Sequence, residues 1–226
     1  MFYFDPLWLL FISPAVLLGI WAQIRIRSTY AETSQMPAMM SGARAAREVL
    51  DGAGLTNVGI EQVPGHLSDH YDPRDKVLRL SPEVFNGHSL ASVGIAAHEA
   101  GHAIQDARNY APLGIRNAAV PIANFGSGFG MILLVIGLIA DIGVLTLAGM
   151  VLFGGVVFFQ LVNLPVEFNA STRAKEQLVG LGIIDQQGLV QVKRVLNAAA
   201  LTYVAATLQS VMQLLYFVLR FSQQRN

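Results

Sequence analysis

Between Ala118 and Val162 the chain carries a single charged side chain, Asp141. About 20 apolar residues suffice for one helical crossing of a bilayer. The stretch therefore predicts two spans joined by a tight turn near Asp141-Ile142-Gly143. Within it, Gly126 and Gly130 form a small-x-x-x-small pair suited to close helix packing, or else add only flexibility. A second apolar run, Leu7 to Ile24, is broken only by Ser13, Pro14 and Gln23 and is followed at once by Arg25 and Arg27. Its leading residues hold no basic group and include Asp5, and no small-x-small cleavage site follows. The run reads as an uncleaved anchor, with Trp8 and Trp21 as interfacial residues near its ends. A last run, Ala198 to Phe221, bears Gln209 and Gln213, which should face protein rather than lipid. It predicts a fourth span, with an amphipathic helix lying on the membrane surface as the alternative.

Composition agrees with this map. The chain is 53% hydrophobic and 13% charged, where soluble domains carry about 25% charged residues. Net charge is zero, which removes any global case for nucleic-acid binding. There is no cysteine, so a bound metal must be held by His, Asp or Glu.

The polar residues concentrate in two segments, and five regions result: an anchor over 1–27, a polar segment over 28–117, a two-span hairpin over 118–162, polar helices over 163–197, and a last transmembrane or interfacial helix over 198–226. In the first polar segment, Ser41 to Leu50 reads as a helix ended by Gly52 and Gly54. Val58 to Val63 and Lys76 to Leu80 read as strands, the latter alternating as an exposed edge strand would. Ser81-Pro82 starts a turn or short helix. Ser89 is an N-cap candidate for a helix running to about Arg108. In the second segment Pro165 is expected to open a helix through about Leu178, and Asp185 to cap the next one. The fold class is thus a mainly α membrane protein, with about four transmembrane helices and a small α+β cytoplasmic domain. Orientation follows from charge: nine Lys and Arg lie from Arg25 to Arg116, none in the Asp141 turn and four from Arg173 to Arg194. The positive-inside rule places both polar segments in the cytoplasm. Four spans then put the C-terminus outside, which Arg220 and Arg225 mildly disfavour.

The polar segment contains His98-Glu99-Ala100-Gly101-His102. On a helix, residues four apart lie on one face, so two imidazoles can hold one metal ion. Glu99 then sits beside the water that such a metal holds, where it can take a proton. This is the H-E-x-x-H arrangement of zinc-dependent proteases. A catalytic zinc usually has a third protein ligand. The following residues lack the glycine and histidine of the metzincin extension, those places being taken by Gln105 and Arg108. The ligand must therefore come from elsewhere, on the same membrane side as His98. Two crossings return the chain to that side at Leu164, and the first carboxylate there is Glu167. Glu176 is the next candidate, and His66, His70 and His88 are the histidine candidates.

Four stretches carry a family resemblance: His70 to Ser81 (HYDPRDKVLRLS), Ala96 to Gln105 (AAHEAGHAIQ), Pro165 to Ala174 (PVEFNASTRA) and Asn197 to Ala206 (NAAALTYVAA). With them the chain resembles the YugP-like neutral zinc metallopeptidases of bacterial membranes, over nearly its whole length. That family looks like a compact relative of HtpX-type membrane proteases, in which a glutamate in E-x-x-x-D on a later helix completes the zinc site. The resemblance implies a zincin-like domain, one zinc ion per chain and Glu167 as the third ligand. Ser171 stands where the HtpX-type motif has aspartate, so its support of a ligand histidine would be a weaker hydrogen bond.

The resulting expectation is a zinc endopeptidase of the bacterial inner membrane, multi-pass, with its site at the cytoplasmic face. His98, His102 and Glu167 bind the metal, and Glu99 is the general base. Its partners are a protein or peptide substrate and the lipid bilayer, without nucleic acid. Tyr203 is either an interfacial tyrosine or an O–H donor to the oxyanion of the reaction. Arg173 is read as a surface or headgroup arginine, with substrate contact as the alternative. His66, His70 and His88 are read as solvated or locally hydrogen-bonded, His70 being the best placed for a pocket. Val77 to Leu80 could hold a peptide by strand addition. Three other classes compete: an intramembrane protease, a non-catalytic scaffold that retains a metal, and a transporter. Against the first, only Leu90 to Ala97 is continuously small or apolar before His98, and no aspartate within a later span, other than the turn residue Asp141, offers the extra ligand. A scaffold has no need of Glu99, and Gln209 with Gln213 make a poor ion path.

Overall fold

The computed structural model describes residues 6–224, so Asp5 and Arg225, used in the sequence argument, lie outside the described residues. Contacts divide the chain into two compact units. One comprises Met1–Ala22, Ile115–Leu164 and Leu201–Asn226; the other comprises Gln23–Gly114 and Pro165–Ala200.

The first unit is apolar and helical. It contains the start of α1 (Pro6–Ser34), most of α5 (Ala111–Phe125), a π-helical turn (Gly126–Gly130), α6 (Met131–Ile139), the start of α7 (Gly143–Gly180) and the end of α8 (Gln186–Gln224). Among the described residues, four helical stretches are long and apolar enough to cross a membrane. The break between α6 and α7 falls at Asp141, which adopts a positive φ of 56°. Gly126 and Gly130 are packing residues. A Cβ on Gly130 would lie 2.9 Å from the Leu152 Cβ, and one on Gly149 would lie 2.7 Å from the Gly130 carbonyl oxygen. The missing side chains let two backbones approach, as interhelical contact in lipid requires. Tyr216, Phe217, Leu134 and Met150 form a buried cluster with Trp8, Phe11 and Phe221 packed against it. Large apolar side chains such as Leu10, Ile139, Val144 and Val151 remain outward and exposed.

The second unit is α+β. Ser41 caps α2 (Gly42–Gly52), its hydroxyl accepting from the Arg44 N–H. Three strands follow: β1 (Gly59–Gln62), β2 (His70–Asp72) and β3 (Val77–Leu80). Next come the short α3 (Pro82–Asn86) and α4 (Leu90–Ala107). The sheet order is β1-β3-β2, with β1 parallel and β2 antiparallel to β3. This corrects the edge-strand expectation for Val77 to Leu80. That strand is central, because the short HYD segment, which carries no alternation of its own, pairs along its second edge. Both edges of β3 are occupied, so a peptide cannot add there. Leu78 and Leu80 are fully buried. On the opposite face Arg79 meets Asp72 at 2.6 Å and Glu61 at 3.5 Å from its two neighbouring strands.

Two further expectations are corrected. Pro165 lies inside α7, which is one helix from Gly143 to Gly180. Proline removes one i→i−4 bond but need not end a long helix whose flanks are both packed. Likewise the apolar run from Ala198 continues α8, which begins at Gln186 behind an Asp185 cap on the Gly188 N–H.

The core of this unit joins Ala45, Val49 and Leu50 of α2, Leu78 and Leu80 of β3, Ala96, Ala97 and Ala100 of α4, Ala174 and Leu178 of α7, and Val192 of α8. Small residues dominate α4, so its neighbours come close. A Cβ on Gly101 would lie 2.6 Å from the Ala170 carbonyl oxygen of α7, and one on Gly94 would lie 3.0 Å from Val192 of α8.

Candidate metal centre

The contact between Gly101 and Ala170 sets the site. Helix α4 starts at its Ser89 cap, which accepts from the Ser92 N–H at 3.1 Å. Its far end is held by Asp106, which accepts from the Tyr71 hydroxyl (2.7 Å) and from Lys76 Nζ (2.5 Å). Between these anchors His98 and His102 stack one turn apart, ring centroids 4.8 Å apart and nearly perpendicular. Ala170 is one turn beyond Glu167 on α7, so pressing Ala170 against Gly101 carries the Glu167 carboxylate to the two imidazoles. Glu167 Oε2 lies 3.3 Å from His98 Nε2 and 3.7 Å from His102 Nε2.

Ligand atoms of His98, His102 and Glu167 all lie within 4.8 Å of one another, and among the described residues they form the one such group that could hold a metal ion. Two imidazole nitrogens and one carboxylate oxygen, with no sulfur, suit a zinc ion that keeps a further position open. The outer nitrogens are also engaged. His98 Nδ1 is 3.1 Å from Ser171 Oγ, and His102 Nδ1 is 3.0 Å from Gln105 Oε1. Both Nε2 atoms are thereby left for the space shared with Glu167, the usual division of roles in a histidine metal site.

Glu99 is 9% exposed. Burial pushes its carboxyl up to about 7; Glu167 and Asp69 add to the rise, while His98 and His70 oppose it. Such a carboxyl can hold and release a proton near neutrality. Asp69, whose carboxyl is also raised by burial, accepts from the Ser81 N–H (2.8 Å) and hydroxyl.

The other sequence candidates are placed as follows. Ser171 joins the site, its hydroxyl supporting His98 where an aspartate was missing. Glu176 lies two turns further on, in a groove of about 500 Å³ with Thr172, Lys175 and Lys193. His66 pairs with Glu83, edge-on to Tyr30. His70 rests on the Ser68 carbonyl (2.9 Å) at the start of β2, and His88 on the Asn86 carbonyl (3.0 Å). Tyr203 stands on α8 in the apolar unit, where its carbonyl accepts from Thr207. Arg173 is not a loose surface side chain: its Nε donates to Asn169 Oδ1 (2.7 Å) and its guanidinium lies 5.9 Å from the Tyr110 ring centroid. Sequence reasoning missed Gln105 and Asn169. Gln105 did show a signal, standing three residues after the second histidine of the motif, one helical turn along the same face.

Comparison with known proteins covers nearly the whole chain. Residues 8–222 match the family model described as "Putative neutral zinc metallopeptidase". The chain is 44% identical over 222 residues to "Putative membrane protease YugP" of Bacillus subtilis (strain 168), covering 96% of this chain and 98% of that protein. No solved structure matches. A family match that runs from the first apolar helix to the last, with the His98, His102 and Glu167 group inside it, makes this protein a member of that neutral zinc metallopeptidase family.

Proposed function

We propose that the protein is a membrane-bound zinc endopeptidase whose site faces the cytoplasm. The observation that carries this reading is the meeting of His98, His102 and Glu167 beside a buried Glu99. The three residues would hold one zinc ion. Bound there, zinc supplies Lewis acidity to polarise a peptide carbonyl and to acidify a water. Glu99 takes the proton of the attacking water at its carboxylate and returns it to the leaving amine nitrogen. Burial matches this task, because it favours the protonated form and so helps the carboxylate take up a proton. Ser171 and Gln105 keep the two imidazoles turned toward Glu167. A scaffold role would leave the burial of Glu99 without use. Against an intramembrane protease, α4 is not one of the helices long and apolar enough to span.

Glu99→Gln tests the reading. The variant should retain zinc while cleavage of an unfolded protein substrate falls by about 10³-fold, in the range for loss of a general base. Full activity in that variant overturns the mechanism. The cytoplasmic assignment rests on the Lys and Arg bias. Since the chain has no cysteine, a single cysteine placed at exposed Leu67 reports sidedness cleanly. Labelling by an impermeant maleimide in intact cells would reverse the orientation.

A further inference from the structure

Gln105 is fully buried, and each end of its amide is engaged. Nε2 lies 2.8 Å from the Val166 carbonyl oxygen and 3.0 Å from Asn169 Oδ1; Oε1 lies 3.0 Å from His102 Nδ1. A main-chain carbonyl can only accept, so the end of the amide facing Val166 must be the NH2 group. Arg173 supplies a second, independent constraint. Its Nε–H can only donate, and it lies 2.7 Å from Asn169 Oδ1, so the Asn169 oxygen is the atom turned toward both Arg173 and Gln105. That again requires the NH2 group of Gln105 on the α7 side. Two groups of fixed polarity thus give one orientation, with the Gln105 oxygen opposite His102. An acceptor opposite Nδ1 calls for a proton on Nδ1, and a neutral imidazole then carries its lone pair on Nε2.

His98 differs. Its partner, Ser171 Oγ, is a hydroxyl that can donate or accept, so it does not by itself choose a tautomer.

We infer that Gln105 is a positioning residue: oriented by the Val166 carbonyl and the Arg173–Asn169 pair, it holds His102 as the Nδ1–H tautomer so that Nε2 presents its lone pair to the metal. The inference rests on the reading of His98, His102 and Glu167 as a zinc site. It gives Arg173 a purpose other than lipid or substrate contact. Held by the Tyr110 ring and by Asn169, it is the cationic end of a hydrogen-bonded chain that terminates at a metal ligand.

The test uses the full-length protein in detergent. Metal-free Glu167→Ala protein, in which no carboxylate faces the His102 Nε2, is labelled with 15N-histidine and studied at pH 8, where an ordinary imidazole is neutral, and His102 is assigned by its loss in His102→Gln. Nδ1 protonation at His102 is expected; protonation on Nε2 overturns the inference. Zinc affinity is then measured by chelator competition. Gln105→Leu and Asn169→Leu should each weaken zinc binding by about 10- to 100-fold, the cost of removing support from a ligand histidine. Asn169→Asp keeps the acceptor for Gln105 and Arg173 and should bind zinc nearly as wild type does. Wild-type affinity in Gln105→Leu overturns the inference, as does equal loss in Asn169→Asp and Asn169→Leu. Should Gln105→Leu fail to fold, the tautomer measured with Gln105 in place decides alone. Zinc affinity that survives His98→Ala would instead overturn the zinc site, leaving the tautomer result to stand by itself.

Discussion

The apolar unit and the α+β unit bring helices together by the same device but use the closeness differently. In the apolar unit, Gly126, Gly130 and Gly149 let backbones meet, and side chains such as Val151 and Ile139 face outward. The reward is packing alone, since lipid offers no hydrophobic force between helices. In the α+β unit, Gly94 and Gly101 do the same work for α4, but the gap closed at Gly101 aligns polar groups. Glu99, His102, Gln105, Glu167 and Ser171 are all nearly buried there. A glycine contact is structural in one unit and chemical in the other, because only the second has ionisable side chains one turn away from it.

That contrast can be attacked directly. Glu167→Ala should cost the most, lowering zinc affinity by well over the roughly 100-fold attached to an outer partner; equal zinc occupancy would force a different third ligand. Next is the burial of Glu99 in metal-free protein. Its carboxyl is raised from the ordinary 4.5 to about 7, so between those values the folded state binds more protons than the unfolded one and stability falls as pH rises. Glu99→Gln escapes this penalty. Thermal melts should show its advantage growing from pH 4.5 and levelling above pH 7, at about 3 kcal/mol. A constant difference across pH would mean that water reaches the carboxyl.

The glycines come third. Gly101→Ala and Gly149→Ala each force a Cβ against backbone, which costs about 1–3 kcal/mol. Gly101→Ala should also weaken zinc binding, whereas Gly149→Ala should lower the melting temperature and leave zinc affinity intact. Loss of zinc affinity in Gly149→Ala would erase the distinction. Smallest is the exposed Arg44–Glu48 pair on α2, 3.2 Å apart. Removing it should change stability by less than about 0.5 kcal/mol.

Much of the fold was legible in advance. The four apolar helices, helix α2, the Ser89 cap, the β1 and β3 segments and the His98–His102 face follow from residues within a few positions of one another. Glu167 was reached by counting crossings and by a family resemblance. What escaped were features without a local signature. The three residues of β2 show no period, so the order β1-β3-β2 stayed hidden and β3 was taken for an edge. Pro165 reads locally as a helix start, yet α7 runs through it. Gln105 looks like any polar residue on a helix until Val166 and Asn169 stand opposite.

The sequence by itself therefore determined the period of α4, which puts two imidazoles and one carboxyl side by side, and the lengths of the apolar runs. Only the tertiary structure decided that Glu167 meets His98 and His102, that Ser171 and Gln105 stand opposite the outer nitrogens, and that burial lifts Glu99. The physical reason is range. Helix period and hydropathy are properties of neighbours along the chain, whereas hydrogen-bond polarity and desolvation depend on what packing brings opposite, here through the absent Cβ of Gly101.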